Sequence, residues 1–205
     1  MNYSTLADKK TVDTTISALS SKNIAAVFVA NKADALQKIK DLIPQNASVM
    51  NGSSVTLEQI GFVEYLESGK HGWNNLHAAI LAENDPVKRA FLRKQSVLSD
   101  FYLGSVHALT ENGECIIASN TGSQLPHIVF TSPNIIFVVS TKKIVPNLTE
   151  GMKRLEEYVV PLEDKHMQQK YGMNTSLNKI VIFKNENQNM GRKIHLILVG
   201  EDLGF

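Results

Sequence analysis

One cysteine, Cys115, and one tryptophan, Trp73, stand in a chain of 205 residues. A single cysteine excludes an intramolecular disulfide and a cysteine-ligated zinc or iron–sulfur centre within the chain. Cys115 alternates with core positions of a strand pattern, so a buried, inert thiol is expected. Charge of one sign is also lacking: 21 Lys and Arg face 20 Asp and Glu, a net +1. That balance excludes the basic footprint of a duplex nucleic-acid binder or an anionic-membrane surface. No apolar run approaches the roughly 18 residues of a membrane span. The start, Met1–Lys10, lacks the apolar centre of a signal peptide, and a reducing cytoplasm is the expected location. The six histidines show no i,i+4 pair and no carboxylate companion in ligand spacing, so no metal site is expected. Aromatics are few, and Phe62, Tyr65 and Trp73 read as core and cover, without the interleaved basic residues of a base-stacking platform.

What is present is an apolar period that switches repeatedly between that of a strand and that of a helix. This is the pattern of a layered α/β fold with a mostly parallel sheet and flanking helices. A chain of this length buries roughly 70% of its unfolded surface in one core, and residues 1–205 read as a single domain. After an N-terminal helical segment, residues 1–22, Ile24–Val29 form a strand. Asn31 caps a helix carrying Ala35, Leu36, Ile39 and Leu42, which Pro44 stops. A strand at Ala47–Met50 leads to a helix with capping-box spacing between Thr56 and Gln59, running to about Leu66. Asp85-Pro86 starts another helix, with Val87, Ala90, Phe91 and Leu98 on its apolar side. Asn134–Ser140 reads as a strand buried on both faces, and a helix follows Asn147 to about Tyr158. Residues 161–178 are polar, weakly periodic and expected to be flexible. Lys179–Phe183 and Lys193–Val199 are the last two strands.

Asp100–Ser123 carries the most information. An apolar run ends at Ser105, Glu111-Asn112-Gly113 reverses the chain as a hairpin turn, and Asn120-Thr121-Gly122-Ser123 opens toward a helix. A glycine before a helix lets backbone N–H groups converge on an anion. Turn chemistry alone also explains such a hairpin. Four polar clusters nevertheless follow the carboxyl ends of expected strands: Asn51-Gly52-Ser53-Ser54, Asn120–Ser123, Lys142-Lys143 and Glu201-Asp202. In an open parallel sheet those ends share one rim, where ligands bind. His107 lies close enough to its strand end to join them. Of the two lysines, one points inward to meet a phosphate or carboxylate and the other points to solvent.

The runs N-G-S-S-V-T-L-E-Q-I-G from Asn51, S-V-H-A-L-T-E-N-G-E from Ser105, N-T-G-S from Asn120, K-I-V-P-N-L from Lys143 and the terminal L-V-G-E-D-L-G-F together resemble the LUD-domain family. That family includes the C component of the bacterial lactate-utilisation system. The resemblance spans nearly the whole chain in order. It implies an α/β fold similar to the sugar-phosphate isomerase and coenzyme A transferase superfamily, and it marks Lys143, within K-I-V-P, as the inward lysine. Two looser similarities follow. Thr110–Gly113 resembles the Ser-Glu-Asn-Gly motif of a class of coenzyme A transferases, which would make Glu111 an acyl-accepting nucleophile. The arc from Asn112-Gly113 to Thr121-Gly122 resembles a pattern of methylthioribose-phosphate isomerases.

Longer members of the family carry cysteines in the region of Pro161–Asn178, or fuse the domain to an iron–sulfur module. Here that region has none, so redox work would require separate iron–sulfur oxidoreductase subunits as partners, and the chain itself holds no cofactor beyond a coenzyme A or phosphorylated ligand. Three functions remain open: binding and processing of a small organic acid, phosphorylated metabolite or coenzyme A thioester in lactate or related metabolism; a non-catalytic, metabolite-sensing subunit docked on such a partner; and an autonomous transferase or isomerase using Glu111.

Overall fold

A computed structural model describes residues 1–205. The strands are β1 (Ile24–Val29), β2 (Ser48–Asn51), β3 (Asn74–Asn75), β4 (Phe101–Gly104), β5 (Ala108–Thr110), β6 (Cys115–Ser119), β7 (Asn134–Ser140), β8 (Ile144–Val145), β9 (Lys179–Phe183) and β10 (Lys193–Val199). The helices are α1 (Lys9–Ser21), α2 (Lys32–Leu42), α3 (Val55–Gln59), α4 (Phe62–Glu67), α5 (Leu76–Ala82), α6 (Pro86–Gln95), α7 (Leu148–Arg154) and α8 (Val160–Tyr171).

The main sheet has the order β1-β10-β7-β4-β2-β3, and every pairing within it is parallel. Its central strands are buried on both faces, as near-continuous Val/Ile/Leu runs require. Alternation along β7 sends Ile136 and Val138 into a core with Ala35 and Ile39 of α2, Leu57 of α3 and Phe62 of α4. Ile135, Phe137 and Val139 point the other way, toward Val12 and Leu19 of α1 and toward Leu109, Cys115 and Ile117. Those last three belong to a second sheet, ordered β8-β5-β6-β9, which the sequence pattern did not separate from the first. Its outer face, Ala108, Ile116 and Ala118, packs against Leu155 and Val159. The second sheet is thus sandwiched between the main sheet and the α7–α8 helix. Cys115 lies in this sheet-on-sheet core, and burial pushes its thiol up to about 12.

Local chemistry explains most element ends. Asn31 caps α2 by accepting from the Asp34 N–H at 3.0 Å, and Asp85 caps α6 with Pro86 in its first turn. The hairpin between β5 and β6 turns at Gly113, whose φ of +80° suits glycine. Other ends differ from expectation. The cap of α3 is Ser54, not Thr56, and the helix breaks at Gly61 with φ +76° before α4 begins. Within 161–178 the chain is helical to Tyr171. A widened turn, Leu155–Val159, with the Val160 N–H reaching back to Leu155 O, links α7 to α8 ahead of Pro161. Proline lacks the N–H that a regular turn there would use, and such a bulge accommodates it. The Gly122 turn is followed by only a short helical turn, His127–Thr131. The expected apolar side of α6 is not core: Val87 is 79% and Phe91 58% exposed. No helix is long and apolar enough to cross a membrane.

Candidate ligand-binding site

Because the main-sheet strands are parallel, the chain leaves β2, β4, β7 and β10 at one edge. There, a cavity of about 380 Å³ opens between the strand ends and the α7–α8 helix. Its wall is rich in hydroxyls: Ser53, Ser54 and Thr56 after β2, Ser105 after β4, and Thr121 and Ser123 after β6. His107 and Asn120 join them, α8 contributes Glu163 and His166, and Gly204 and Phe205 close one side.

Lys143 stands behind this wall, only 4% exposed. The chain turns tightly through Thr141–Lys143 after β7, which sends the Lys143 side chain under the strand ends. Its Nζ lies 3.1 Å from Thr56 Oγ1, 3.1 Å from Ser105 Oγ and 3.2 Å from Val106 O. Ser105 in turn donates its own proton to Val138 O at 2.7 Å. Burial, with the charges of Arg154 and Lys142, holds the Lys143 pKa well below the usual lysine range. Gly204 closes over the pair: a Cβ there would sit 2.2 Å from Thr56 Oγ1 and 2.9 Å from Lys143 Nζ. Only glycine fits.

Lys142 also differs from expectation. It is buried rather than solvated, pairing with Asp202 and donating to Gly204 O at 2.7 Å. The two adjacent lysines therefore divide their work, one fixing the C-terminal segment and one supporting the cavity wall.

His107 reaches the cavity from the β4–β5 connection. Its Nδ1 accepts the Ala118 N–H at 3.0 Å, so the proton of the neutral ring resides on Nε2, which is free to donate. Burial, then the charges of Lys143 and Arg154, push its pKa down to about 3. The ring is a fixed neutral donor near pH 7, not an imidazolium acid. Arg154 donates Nη1 to His107 O, and its Nε and Nη2 have no partner. It is fully buried against the rings of Tyr3 and Tyr158, which also pack on each other. Neither Lys143 nor Arg154 forms an ion pair. Glu163 is the single acidic side chain in the cavity wall, and burial raises its pKa toward the neutral form. Such an arrangement can bind negative charge, or polarise a carbonyl, through neutral O–H and N–H donors backed by two cations.

A second cavity, of about 490 Å³, lies alongside, beneath α5 and α6, and shares Gly52, Ser53, Ser54, Ser123, Gln124 and Tyr171 with the first. Asn51 lines this second space.

Of the residues singled out from the sequence, Gly52, Ser53, Ser54, His107, Asn120, Thr121 and Ser123 come together around the first cavity. Gly122 turns beside them at φ +86°, packed on the Lys179 stem. Glu201 instead accepts from the Lys32 N–H at the start of α2, and Asp202 serves Lys142. Glu111 lines neither cavity: its N–H pairs with Val145 O at the hairpin turn, and Gly113 beside it packs on the end of α1. Thr56, Ser105, Arg154, Glu163 and His166 were not singled out. Thr56 carried a capping signal, and nothing in the run K-R-L-E-E-Y marks an arginine as buried.

The fold and this edge describe a layered α/β domain with a hydroxyl-rich, cation-backed pocket at the carboxyl ends of its strands. A family model for the LUD domain matches residues 12–199, and the chain belongs to that family. A crystal structure of a DUF162 family protein from Deinococcus radiodurans superimposes with a TM-score of 0.58 at 12% identity, covering 96% of this chain and 100% of that one. It supports the fold alone. No curated protein matches at a significant level.

Proposed function

We propose that this LUD-domain chain binds a small anionic metabolite, an organic acid or a phosphorylated compound, at the carboxyl edge of its main sheet, and does so in cytoplasmic organic-acid use such as lactate utilisation. One observation carries the reading: the buried Lys143 and Arg154 stand behind residues of a hydroxyl-lined cavity, Lys143 against Thr56 and Ser105 and Arg154 against His107 O, with no acidic partner for either. Unpaired buried charge is costly, and buried charges are ordinarily paired. An anion in the cavity supplies the missing counter-charge. Thr56, whose hydroxyl has Lys143 as its single hydrogen-bond partner, and His107 Nε2–H are the donors best placed to meet it.

A thermal-shift screen of short hydroxy and keto acids, sugar phosphates and acyl coenzyme A thioesters tests this directly. A ligand held at 100 times its Kd adds about 2.7 kcal/mol. Stabilisation by one of these classes supports the reading; silence from all of them, against a neutral-compound control, refutes it.

A second reading, a subunit that docks on an iron–sulfur oxidoreductase partner, is favoured by the exposed apolar side of α6, Val87 and Phe91. Co-purification with such a subunit, lost on Phe91→Asp, supports it; purification alone at native expression counts against it.

A further inference from the structure

Glu163 is out of keeping with the rest of the first cavity. No lysine or arginine lines that cavity, and Glu163 is its one acidic side chain. It comes from α8, whose cavity face is otherwise made of Val160, Met167 and the rings of His166 and Tyr171. The carboxylate is half-buried and forms no ion pair. Its neighbours along the helix are engaged elsewhere: Asp164 accepts from the Thr175 N–H at 2.8 Å, and Lys170 pairs with Glu58 at 2.8 Å. His166, one turn on, sets its ring edge against Phe205 at 5.8 Å.

The opposite wall has the reverse character. Thr56 Oγ1, backed by Lys143, and His107 Nε2 stand at the strand ends as donors. The cavity therefore has a side that receives negative charge and a side that repels it. At about 380 Å³ it lies at the small end of the roughly 300–1,000 Å³ of small-molecule sites, so a compact ligand touches both walls and displaces water from each. At the strand ends an anionic group replaces that water as acceptor. At Glu163 the replacement has to be a donor, because a carboxylate that loses water without gaining one is left unsatisfied. A second anion there meets a like charge in a desolvated site.

Resting on the anion reading above for the strand-end wall, we infer that Glu163 is a specificity-determining residue of this site. It admits compact anions whose far end carries a hydroxyl or another hydrogen-bond donor, and it excludes those whose far end carries a second anionic group. Discrimination of this kind works by repulsion of the wrong ligand as much as by attraction of the right one.

The experiment uses two matched pairs of probes, each differing by a hydroxymethyl group in place of a carboxylate: 4-hydroxybutyrate with succinate, and glycerol 3-phosphate with 3-phosphoglycerate. All four are titrated by calorimetry into the full chain and into Glu163→Gln, at pH 8 to keep Glu163 ionised against the burial that weakens its acidity. In each pair that binds, the hydroxyl member is expected to bind the unaltered protein roughly tenfold or more tightly than its diacid partner. Glutamine keeps the shape and the carbonyl acceptor and removes the charge. Glu163→Gln is therefore expected to hold the hydroxyl member within about threefold and to shrink the preference to less than about threefold. The readout is a ratio within one protein, so partial misfolding of the variant lowers both members alike. Equal or reversed affinities in the unaltered protein, or a preference that Glu163→Gln retains, overturn the role of Glu163 and leave the anion reading standing. Binding of none of the four overturns both.

Discussion

The Nζ of Lys143 lies 3.1 Å from the hydroxyl oxygen of Thr56, across 87 residues of sequence. Thr56 lines the cavity while Lys143 stands behind it, so the hydroxyl relays the lysine's charge to whatever the cavity holds. Thr56→Val keeps the shape and removes that relay. Anion affinity should fall about tenfold, or about 1.4 kcal/mol, with Thr56→Ser restoring most of it. Calorimetry on the three proteins checks this; equal affinity for the valine variant removes Thr56 from the site.

Lys143 has two ways to satisfy its neighbours. As an ammonium it donates to Thr56, Ser105 and Val106 O. As an amine it donates to two of these and accepts from Thr56. Its pKa lies well below the usual lysine range, first through burial and then through Arg154 and Lys142. A bound anion favours the ammonium, so binding should take up protons and weaken as pH rises. Titrations in buffers of different ionisation enthalpy measure the uptake; proton release on binding contradicts this account of Lys143.

Acid should destabilise the fold well above the carboxylate range. His107 is held down at about 3 and His127 at about 4, both first by burial, against an unfolded value of about 6.5. Their neutral forms favour the folded state fully above that unfolded value. As pH falls below about 6.5 the unfolded chain takes up protons that the folded one does not. Each histidine then contributes a loss of up to about 1.4 kcal/mol per pH unit, continuing toward pH 4. Urea midpoints at pH 7, 6 and 5 trace the slope, and His107→Asn should make it shallower. A midpoint independent of pH in this window contradicts the burial of these rings.

Glu111→Gln should leave anion affinity within about twofold, because Glu111 sits on the hairpin turn beside Val145 and lines neither cavity. Turnover of an identified substrate should survive as well. Its abolition by this one change restores the nucleophile role that the Thr110–Gly113 resemblance implies.

The main sheet was legible because burial on both faces leaves unbroken apolar runs such as Asn134–Ser140 and Lys193–Val199. So were the caps at Asn31 and Asp85, whose side-chain oxygens meet the first-turn N–H groups as their residue types suggest. The division into two sheets was not, since β9 and β10 carry similar patterns and only pairing partners distinguish them. Around the cavity, serine, threonine and glycine clusters at strand ends were visible as types. The burial of Lys142 and Arg154 was not. Both lie in runs that read as solvated, and it is the C-terminal segment in one case and the Tyr3 and Tyr158 rings in the other that enclose them. Long-range closure of this kind leaves no local period.

The most direct measurement is calorimetric titration of the strongest acid or phosphate from the screen into the unaltered protein and into Lys143→Met. The methionine preserves the buried aliphatic stem and removes the charge. Binding to the unaltered protein, weakened at least tenfold by the substitution while the variant stays folded by circular dichroism, is the expected result. Undiminished binding to folded Lys143→Met contradicts the claim that this buried cation defines the site.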